Sequence, residues 1–242
     1  MSAPAGGART LVVVPALNEA ESLPPTLARL RAGAPGFDVL VVDDGSRDGT
    51  ADVARAHGVA VVSHPFNLGV GAALQTGFRY ATRRGYDIVV QVDADGQHDP
   101  RDVARLVETV ASGRCDVAIG SRYVAVTAYR APAARRLGMV LFSGIVRLLT
   151  RQRIADTTSG YRAYGHDVIA TCQYDFPRDF PDAPLLIALA RSGFRLLEVP
   201  VEMGERRAGR SFYTLGKSLY YPYKNLLASL MAWLQRPRGG RT

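Results

Sequence analysis

The 242-residue sequence predicts an α/β fold with a mostly parallel central sheet and helices on both faces. Short uninterrupted runs of Val, Leu and Ile, typical of strands buried on both faces, alternate with stretches whose apolar residues recur at helical spacing. The composition, 47% hydrophobic and 21% charged, is that of an ordinary globular protein, and the length suffices for one large domain with a sizeable core.

Strands and helices are predicted to alternate regularly through the first half of the chain. The predicted strands are Leu11–Val14, Val39–Val42, Val59–Val62, Ile88–Val92 and Val117–Ile119. The predicted helices are Glu19–Leu30, a helix that carries Val53 and Ala54 after a cap at Ser46 or Asp48, Val70–Arg83, and a helix that begins at Pro100. This alternation indicates successive β-α units that share one parallel sheet.

The second half is less regular. Its predicted elements are a basic amphipathic helix Ala133–Leu149, a loop Asp156–Tyr164, a helix Asp182–Arg191, a strand Leu196–Val201 and an amphipathic helical stretch Leu215–Leu234. Pro222 must kink or divide the last of these, because proline lacks the N–H that a helix interior needs.

Thirty Lys and Arg against 22 Asp and Glu give a net charge of +8, which suits an anionic partner such as a phosphorylated small molecule or a lipid surface. The basic residues are dispersed among α/β motifs, which argues against nucleic acid. Cys115 and Cys172 are too few for a disulfide framework and are predicted to be reduced and buried. With neither a secretory signal nor an apolar run near the ~20 residues that spanning needs, we expect a cytoplasmic protein, at most peripheral at the inner membrane face.

Polar side chains follow the predicted strands where each strand ends. The four clusters are Asn18 with Glu19, Asp43 with Asp44, Asp93 with Asp95, and Gly120 with Ser121 and Arg122. Each cluster alone is compatible with a turn or a helix cap. Because the carboxyl ends of parallel strands meet at one edge of a sheet, the four together predict a ligand site there.

The sharpest cluster is Asp93–His98. Two carboxylates at positions i and i+2 after a buried strand cannot both stay ionised cheaply without a cation, which predicts a site for Mg²⁺ or Mn²⁺ held by Asp93 and Asp95. Gln97 is a candidate third oxygen ligand, whereas His98 is interpreted as a hydrogen-bonding residue. The segment lacks the remainder of a calcium-binding EF-hand loop.

A glycine-containing segment, Asn67–Gly71, precedes the predicted helix Val70–Arg83. Glycines let backbone N–H groups approach an anionic ligand closely, and a helix amino terminus favours phosphate. The segment follows the third strand rather than the first and lacks a third glycine, which argues against a nicotinamide cofactor.

These motifs carry a family resemblance. Pro15–Glu19, Val41–Ser46 with Asp48–Thr50, Asn67–Gly71 and Asp93–His98 resemble, in this order, the motifs of family 2 glycosyltransferases. Gly120–Tyr123, Asp156–Arg162, Glu198–Val201 and the later Arg206, Gly209 and Ser211 resemble the branch that contains dolichol-phosphate mannose synthase and bacterial polyprenyl-phosphate hexose synthases. The resemblance implies a GT-A fold, a nucleotide-sugar donor and a divalent metal, Mg²⁺ or Mn²⁺.

The resemblance also implies roles for individual residues. Those implied in the base and ribose pocket are Pro15, Leu17, Glu19, Asp43 and Asp44, with Asn18, Gly45, Asn67, Gly69, Gly71 and Ala94 as further candidate substrate contacts. Those implied at the acceptor phosphate or the donor diphosphate are Arg122, Arg135, Arg206, Arg210 and Ser211. The sequence departs from its relatives at Leu17, where many carry an aromatic residue, and at Phe212, where lysine is frequent.

The expected reaction is transfer of a hexose, with inversion, to a polyprenyl or dolichyl phosphate. The candidate catalytic residues are Asp93, Asp95, Arg122, Asp156 and Asp182. An ionised phosphate acceptor needs no general base, whereas a hydroxyl acceptor would need one, for which Asp156 and Asp182 are the candidates. Two alternatives stay open at this point: a soluble family 2 enzyme acting on a hydroxyl of a small molecule, and a non-catalytic module recruited to membranes.

The predicted domain organisation has four parts. They are a flexible N-terminus (1–9), a GT-A catalytic domain (10–212), amphipathic helices (213–235) and a basic tail (236–242). The apolar and basic character of the third part predicts contact with a membrane surface or a membrane partner protein.

Overall fold

The computed structural model describes residues 7–124, 143–174, 176–177, 182–204 and 226–234, and these residues are organised around a seven-stranded sheet of order β3-β2-β1-β4-β6-β5-β7. The strands are β1 Thr10–Ala16, β2 Asp38–Asp43, β3 Ala60–Ser63, β4 Ile88–Gln91, β5 Val117–Ser121, β6 Arg162–Gly165 and β7 Leu196–Pro200. β6 is antiparallel to both of its neighbours, β4 and β5, and the other strand pairs are parallel.

Helices cover both faces of this sheet. They are α1 Leu23–Gly33, α2 Thr50–Ala56, α3 Val70–Arg84, α4 Asp102–Ala111, α5 in residues 143–150, α6 His166–Cys172, α7 Ala183–Arg191 and α8 in residues 226–234. Leu11 and Val13 of β1 belong to a core cluster with α3, α6 and α7, while Val12 and Val14 belong to a second cluster with α1 and α4. The run Leu11–Val14 of this strand is apolar at every position because both faces of the strand are buried.

The second half contains a strand and a helix that the sequence did not predict. The predicted loop Asp156–Tyr164 ends in β6, and α6 follows at once. The sequence Arg-Ala-Tyr-Gly of β6 lacks an apolar run, and its strand conformation comes from pairing with Gln91 and Val90 on one side and Ile119 and Ala118 on the other. Such non-local pairing overrides local propensity.

One predicted boundary also shifts. α1 begins at Leu23 rather than Glu19, with prolines in its first turn, where a missing N–H costs nothing. Arg9, the last residue of the predicted flexible N-terminus, donates its N–H to Asp87 Oδ2 (2.8 Å) and its guanidinium to the Arg84 carbonyl (2.6 Å). Other parts of the predicted organisation, including residues 1–6, 205–225 and 235–242, lie outside the described residues.

Two further expectations concern the whole chain. Cys115 and Cys172 are both free and buried, as predicted. Within the described ranges, every helix is too short or too polar to cross a bilayer.

Candidate active site

The first two polar clusters meet at the carboxyl edge of the sheet. Asn18 adopts a positive φ of 54°, its backbone N–H donates to Ser46 Oγ (2.9 Å), and its Oδ1 accepts from the Arg47 N–H (2.9 Å). The Glu19 N–H donates to Thr50 Oγ1 (2.9 Å). The loops after β1 and β2 are therefore tied together, as expected for one ligand-binding edge.

Asp43 and Asp44 are both buried. Asp44 accepts hydrogen bonds from the Leu68 and Gly69 backbone N–H groups (2.9 and 2.8 Å), and its Oδ1 lies 2.7 Å from His64 Nδ1. This carboxylate is thus used to hold the loop that contains Asn67. Asp44 thus has a structural role in this loop, and its place in the base and ribose pocket, which the resemblance implies, stays a prediction.

Gly45 marks a close approach between the loops after β2 and β3. Its φ is +76°, and a Cβ atom there would lie 2.5 Å from the backbone carbonyl carbon of Phe66. Only glycine fits, because a side chain would meet both conformational strain and a backbone clash. Gly69 also has a positive φ, +94°, and donates its N–H to Asn67 Oδ1 (2.9 Å). The glycine segment before α3 therefore contains a local turn closed by the Asn67 side chain.

Burial alternates along the segment after β4. Asp93, Asp95 and Gln97 are half-buried, whereas Ala94 and His98 are buried. The Gln97 N–H donates to Asp95 Oδ1 (3.0 Å), which keeps the turn compact. The three oxygen-bearing side chains predicted to hold the metal therefore share the more open side of the loop.

His98 supports Asp93 from the buried side. The Asp93 N–H donates to His98 Nδ1 (3.1 Å), and His98 Nε2 lies 3.6 Å from Asp93 Oδ2. Burial lowers the pKa of His98 below its usual value, against the opposing charge of Asp93. The imidazole is therefore neutral at neutral pH, which agrees with its interpretation as a hydrogen-bonding residue.

Tyr161 and Gly160 complete the surroundings of Asp93. The Tyr161 ring stacks on His98 with ring centroids 4.4 Å apart, and its hydroxyl donates to the Asp99 carbonyl (2.8 Å). A Cβ atom at Gly160 would lie 3.0 Å from Asp93 Oδ2, so the absence of a side chain leaves room beside this carboxylate. Neither residue was among the predicted site residues, although both lie inside the quoted motif Asp156–Arg162.

The donor set fits a hard divalent cation that is shared with a substrate. Across the part of the chain that the structure describes, no group of three or more His, Cys, Asp and Glu side chains is arranged to hold a metal ion. Two carboxylates and an amide suit Mg²⁺ or Mn²⁺, which usually complete their coordination with water and substrate phosphate oxygens.

Arg122 and Asp156 form a buried ion pair. Arg122 Nε donates to Asp156 Oδ2 and Nη2 to Oδ1, both at 2.7 Å, and Nη2 also donates to Thr158 Oγ1 (3.0 Å). The Asp156 side chain is fully buried. Both carboxylate oxygens are held by the guanidinium, so Asp156 orients Arg122. Its role as a candidate general base, which applies only to a hydroxyl acceptor, stays a prediction.

The remaining predicted residues fall into two groups. Pro15 is paired with Val42 in the sheet, Leu17 is half-buried, Gly71 is buried in the first turn of α3, and the Ala94 carbonyl accepts from Thr26 Oγ1. Asp182 is the residue immediately before α7. Arg135, Arg206, Arg210 and Ser211 lie outside the described residues.

A family model described as glycosyl transferase family 2 matches residues 11–171. Two relatives are each 38% identical to this chain. Undecaprenyl-phosphate mannosyltransferase of Micrococcus luteus aligns over 214 residues, 84% of this chain and 86% of the relative. Polyprenol monophosphomannose synthase of Mycolicibacterium smegmatis aligns over 221 residues, 84% of this chain and 80% of the relative.

Solved structures share the fold at lower identity. Glucosyl-3-phosphoglycerate synthase from Mycobacterium tuberculosis, in complex with Mn²⁺ and UDP-glucose, has a TM-score of 0.69 at 23% identity and covers 97% of this chain and 82% of its own. A mannosyltransferase from Pyrobaculum calidifontis, in complex with GDP-mannose and Mn²⁺, has a TM-score of 0.62 at 22% identity and covers 95% and 71%. The chain therefore belongs to glycosyl transferase family 2, and it is a glycosyltransferase with the GT-A fold that its motifs predicted.

Proposed function

We propose that this enzyme transfers a hexose, with inversion at the anomeric carbon, from a nucleotide sugar to a polyprenyl phosphate, and that the reaction needs a divalent cation. The observation that carries the proposal is the loop after β4, where Asp93, Asp95 and Gln97 are half-buried between buried neighbours and Gly160 adjoins the Asp93 carboxylate. The two relatives at 38% identity, both named for mannosyl transfer to a polyprenyl phosphate or polyprenol, support the acceptor class.

Asp93 and Asp95 would hold the cation, with Gln97 as a third ligand. Mg²⁺ or Mn²⁺, when bound, neutralises charge on the diphosphate of the donor and so makes the nucleoside diphosphate a better leaving group. The Mn²⁺ in the structurally similar glycosyltransferases supports this assignment.

The donor would lie along the edge formed by the loops after β1, β2 and β3. Pro15, Leu17 and Glu19 are the proposed contacts of the base and ribose, on the frame that Asp44 and Gly45 hold together. GDP-mannose is the first donor to test, because two relatives are named for mannosyl transfer and one structural neighbour binds GDP-mannose.

The acceptor phosphate would meet Arg122, whose guanidinium Asp156 holds. A phosphate monoester has its second pKa near 6, so at neutral pH its oxygen attacks the anomeric carbon without losing a proton. The new carbon–oxygen bond forms as the bond to the diphosphate breaks, and the electron pair leaves with the nucleoside diphosphate. Arg135, Arg206, Arg210 and Ser211 are the proposed additional phosphate contacts.

The test is transfer of radiolabelled mannose from GDP-mannose to undecaprenyl phosphate, with the corresponding UDP-sugars and undecaprenol as comparisons. We expect an acid-labile labelled lipid from the phosphate acceptor, only with Mg²⁺ or Mn²⁺, and none from undecaprenol. Small alcohols are assayed in parallel, and their labelling in place of the lipid phosphate would favour the soluble, hydroxyl-directed alternative. No labelling of the lipid phosphate with any donor would overturn the proposed acceptor.

The described part of the C-terminal helices supports a contact with a membrane. α8 packs against the body of the protein through its small residues, since Ser229 is buried and Ala232 contacts the apolar cluster on that side of the sheet. Of its six larger apolar residues, Trp233 is 37% exposed and the other five are about half exposed or more; these are Leu226, Leu227, Leu230, Met231 and Leu234. A helix that faces water usually buries its large apolar residues and exposes its polar ones. Because α8 exposes its large apolar residues, this face is proposed to rest on a lipid surface.

Positively charged residues on α5 and beside α8 in the sequence suit a surface of anionic lipid. Arg147 in α5 and Arg151 just after it are exposed, and α5 packs against the same apolar cluster as α8. Lys224 and Arg236 flank α8 in the sequence. A polyprenyl phosphate has to be taken from a bilayer, which gives such a contact a purpose in the proposed reaction.

Flotation with vesicles tests the contact. Wild type is expected to float with phosphatidylglycerol vesicles more than with phosphatidylcholine vesicles, and Leu230→Gln with Leu234→Gln should abolish this. Tyr174→Gln, which removes an exposed aromatic side chain outside α8, is the matched control. Equal flotation of the double variant and the control would count against the membrane contact.

A further inference from the structure

Glu198 of β7 lies beside the strand that leads to Arg122. In the parallel pairing of β5 with β7, Glu198 stands opposite Ile119, and Arg122 follows directly after β5 ends at Ser121. Glu198 belongs to a motif noted in the sequence, but nothing in the proposed reaction uses its carboxylate.

The Glu198 carboxylate accepts hydrogen bonds from two backbone N–H groups of the loop before β6. Oε2 accepts from the Ala155 N–H (2.9 Å), and Oε1 accepts from the Asp156 N–H (2.8 Å). Each oxygen serves one of two consecutive N–H groups, which is an arrangement that a carboxylate suits because both its oxygens are acceptors. A glutamine would present its NH₂ donor to one of these N–H groups.

The residue held in this way is the one that orients Arg122. The Asp156 side chain receives Nε and Nη2 of Arg122 at 2.7 Å each, and its Oδ2 also accepts from the Arg122 backbone N–H at 3.2 Å. A two-point Arg–carboxylate pair has strict geometry, so a displacement of the Asp156 backbone has to change the direction of the guanidinium. Three residues are therefore linked in series: Glu198 holds the backbone of Asp156, and the Asp156 side chain holds Arg122.

We propose that Glu198 is a positioning residue for Arg122, acting through the backbone of Asp156, and that it sets the direction from which the guanidinium meets phosphate. This rests on the proposed function, in which Arg122 contacts the acceptor phosphate or the donor diphosphate. Glu198 itself touches no substrate in this proposal. It influences the reaction only through the position of the positively charged Arg122 guanidinium.

The first experiment follows the guanidinium directly and needs no activity. The Nε–H proton of Arg122 in ¹H–¹⁵N spectra is assigned by its loss in Arg122→Lys. It is expected to exchange slowly with water in the wild type, because it is buried and bonded to Asp156. Glu198→Gln should speed this exchange about tenfold or more, while Glu202→Gln, the same change at an exposed site nearby, should leave it unchanged.

The second experiment is a double-mutant cycle on transfer to undecaprenyl phosphate. Glu198→Gln is expected to lower kcat/KM about tenfold in the wild-type background and less than about twofold in the Arg122→Lys background, because the two residues act in one chain. A merely structural role predicts the same loss in both backgrounds, with a matching loss of melting temperature.

The outcomes separate this inference from the proposed function. Unchanged Nε–H exchange in Glu198→Gln, or equal losses of kcat/KM in the two backgrounds, overturns the positioning role. A wild type that fails to label any lipid phosphate overturns the proposed function alone, since the exchange measurement still decides what Glu198 does to Arg122.

Discussion

The two halves of the sheet build their parts of the site by different means. In the half that contains β1 to β4, neighbouring loops are tied by hydrogen bonds between polar side chains and backbone groups, such as Asn18 with Ser46 and Asp44 with Gly69. In the half that contains β5 to β7, an antiparallel strand separates β4 from β5, and a buried ion pair joins Arg122 to Asp156. Hydrogen bonds between loops thus hold the proposed donor side, whereas a buried ion pair orients the side chain proposed to contact phosphate.

The largest expected effect is on activity, in the loop after β4. Asp95→Ala is expected to lower kcat at least about a hundredfold, because charge that develops on the leaving diphosphate loses its stabilisation. The free energy of unfolding should change little, since this side chain is half-buried. Steady-state transfer rates and urea unfolding measure the two quantities.

Asp52→Ala in α2 is the control for that loss. Its carboxylate is exposed and pairs only with Arg55 on the helix surface among the described ion pairs. Activity should match the wild type. A comparable loss of activity in both variants would show that the effect of Asp95→Ala is not local to the site.

The largest expected effect on stability is in the other half of the sheet. Asp156→Ala is expected to lower the free energy of unfolding by about 3–5 kcal/mol, because it leaves the buried guanidinium of Arg122 without its counter-ion. Urea unfolding measures this loss. A loss as small as that of an exposed pair, under about 1 kcal/mol, would mean that Arg122 is solvated and that the two halves do not differ as described.

A smaller effect is expected where the loops after β2 and β3 touch. Gly45→Ala and Gly49→Ala both place an alanine at positive φ, but only Gly45 faces a backbone atom within 3 Å, while nothing lies within 4 Å of a Cβ at Gly49. We expect Gly49→Ala to cost about 1–2 kcal/mol from conformational strain. Gly45→Ala should cost more, as judged by thermal unfolding, and equal costs would contradict the close loop contact.

The smallest expected effect is on the reactivity of the buried thiol of Cys115, two residues before β5. Burial raises the pKa of this thiol to about 11, so only about one molecule in a thousand carries the thiolate at pH 8. In the native protein a disulfide reagent should leave Cys115 and Cys172 unmodified, and both should react after unfolding. Rapid native reaction would show that this part of the core opens readily.

The difference between the halves also decides what the sequence could predict. The strands β1 to β5 and the polar residues that follow them, including Asp93, Asp95 and Gln97, follow from local apolar runs and the residues that end them. The strand β6 and the ion pair of Arg122 with Asp156 depend on residues 34 or more positions apart, which no local pattern records. Asp44 shows a third case, in which the sequence marks a polar loop but does not record that the carboxylate accepts from the Leu68 and Gly69 N–H groups.

A divalent cation held by Asp93 and Asp95 is proposed to join the protein to the diphosphate of the donor. Titration calorimetry of GDP and UDP into the wild type and Asp95→Ala, with Mn²⁺ or with EDTA, tests it most directly. We predict tight binding of one nucleotide by the wild type with Mn²⁺, and binding weakened at least about tenfold by EDTA or by the substitution. Equal affinity for that nucleotide in the four combinations of protein and metal condition would contradict the proposed cation site.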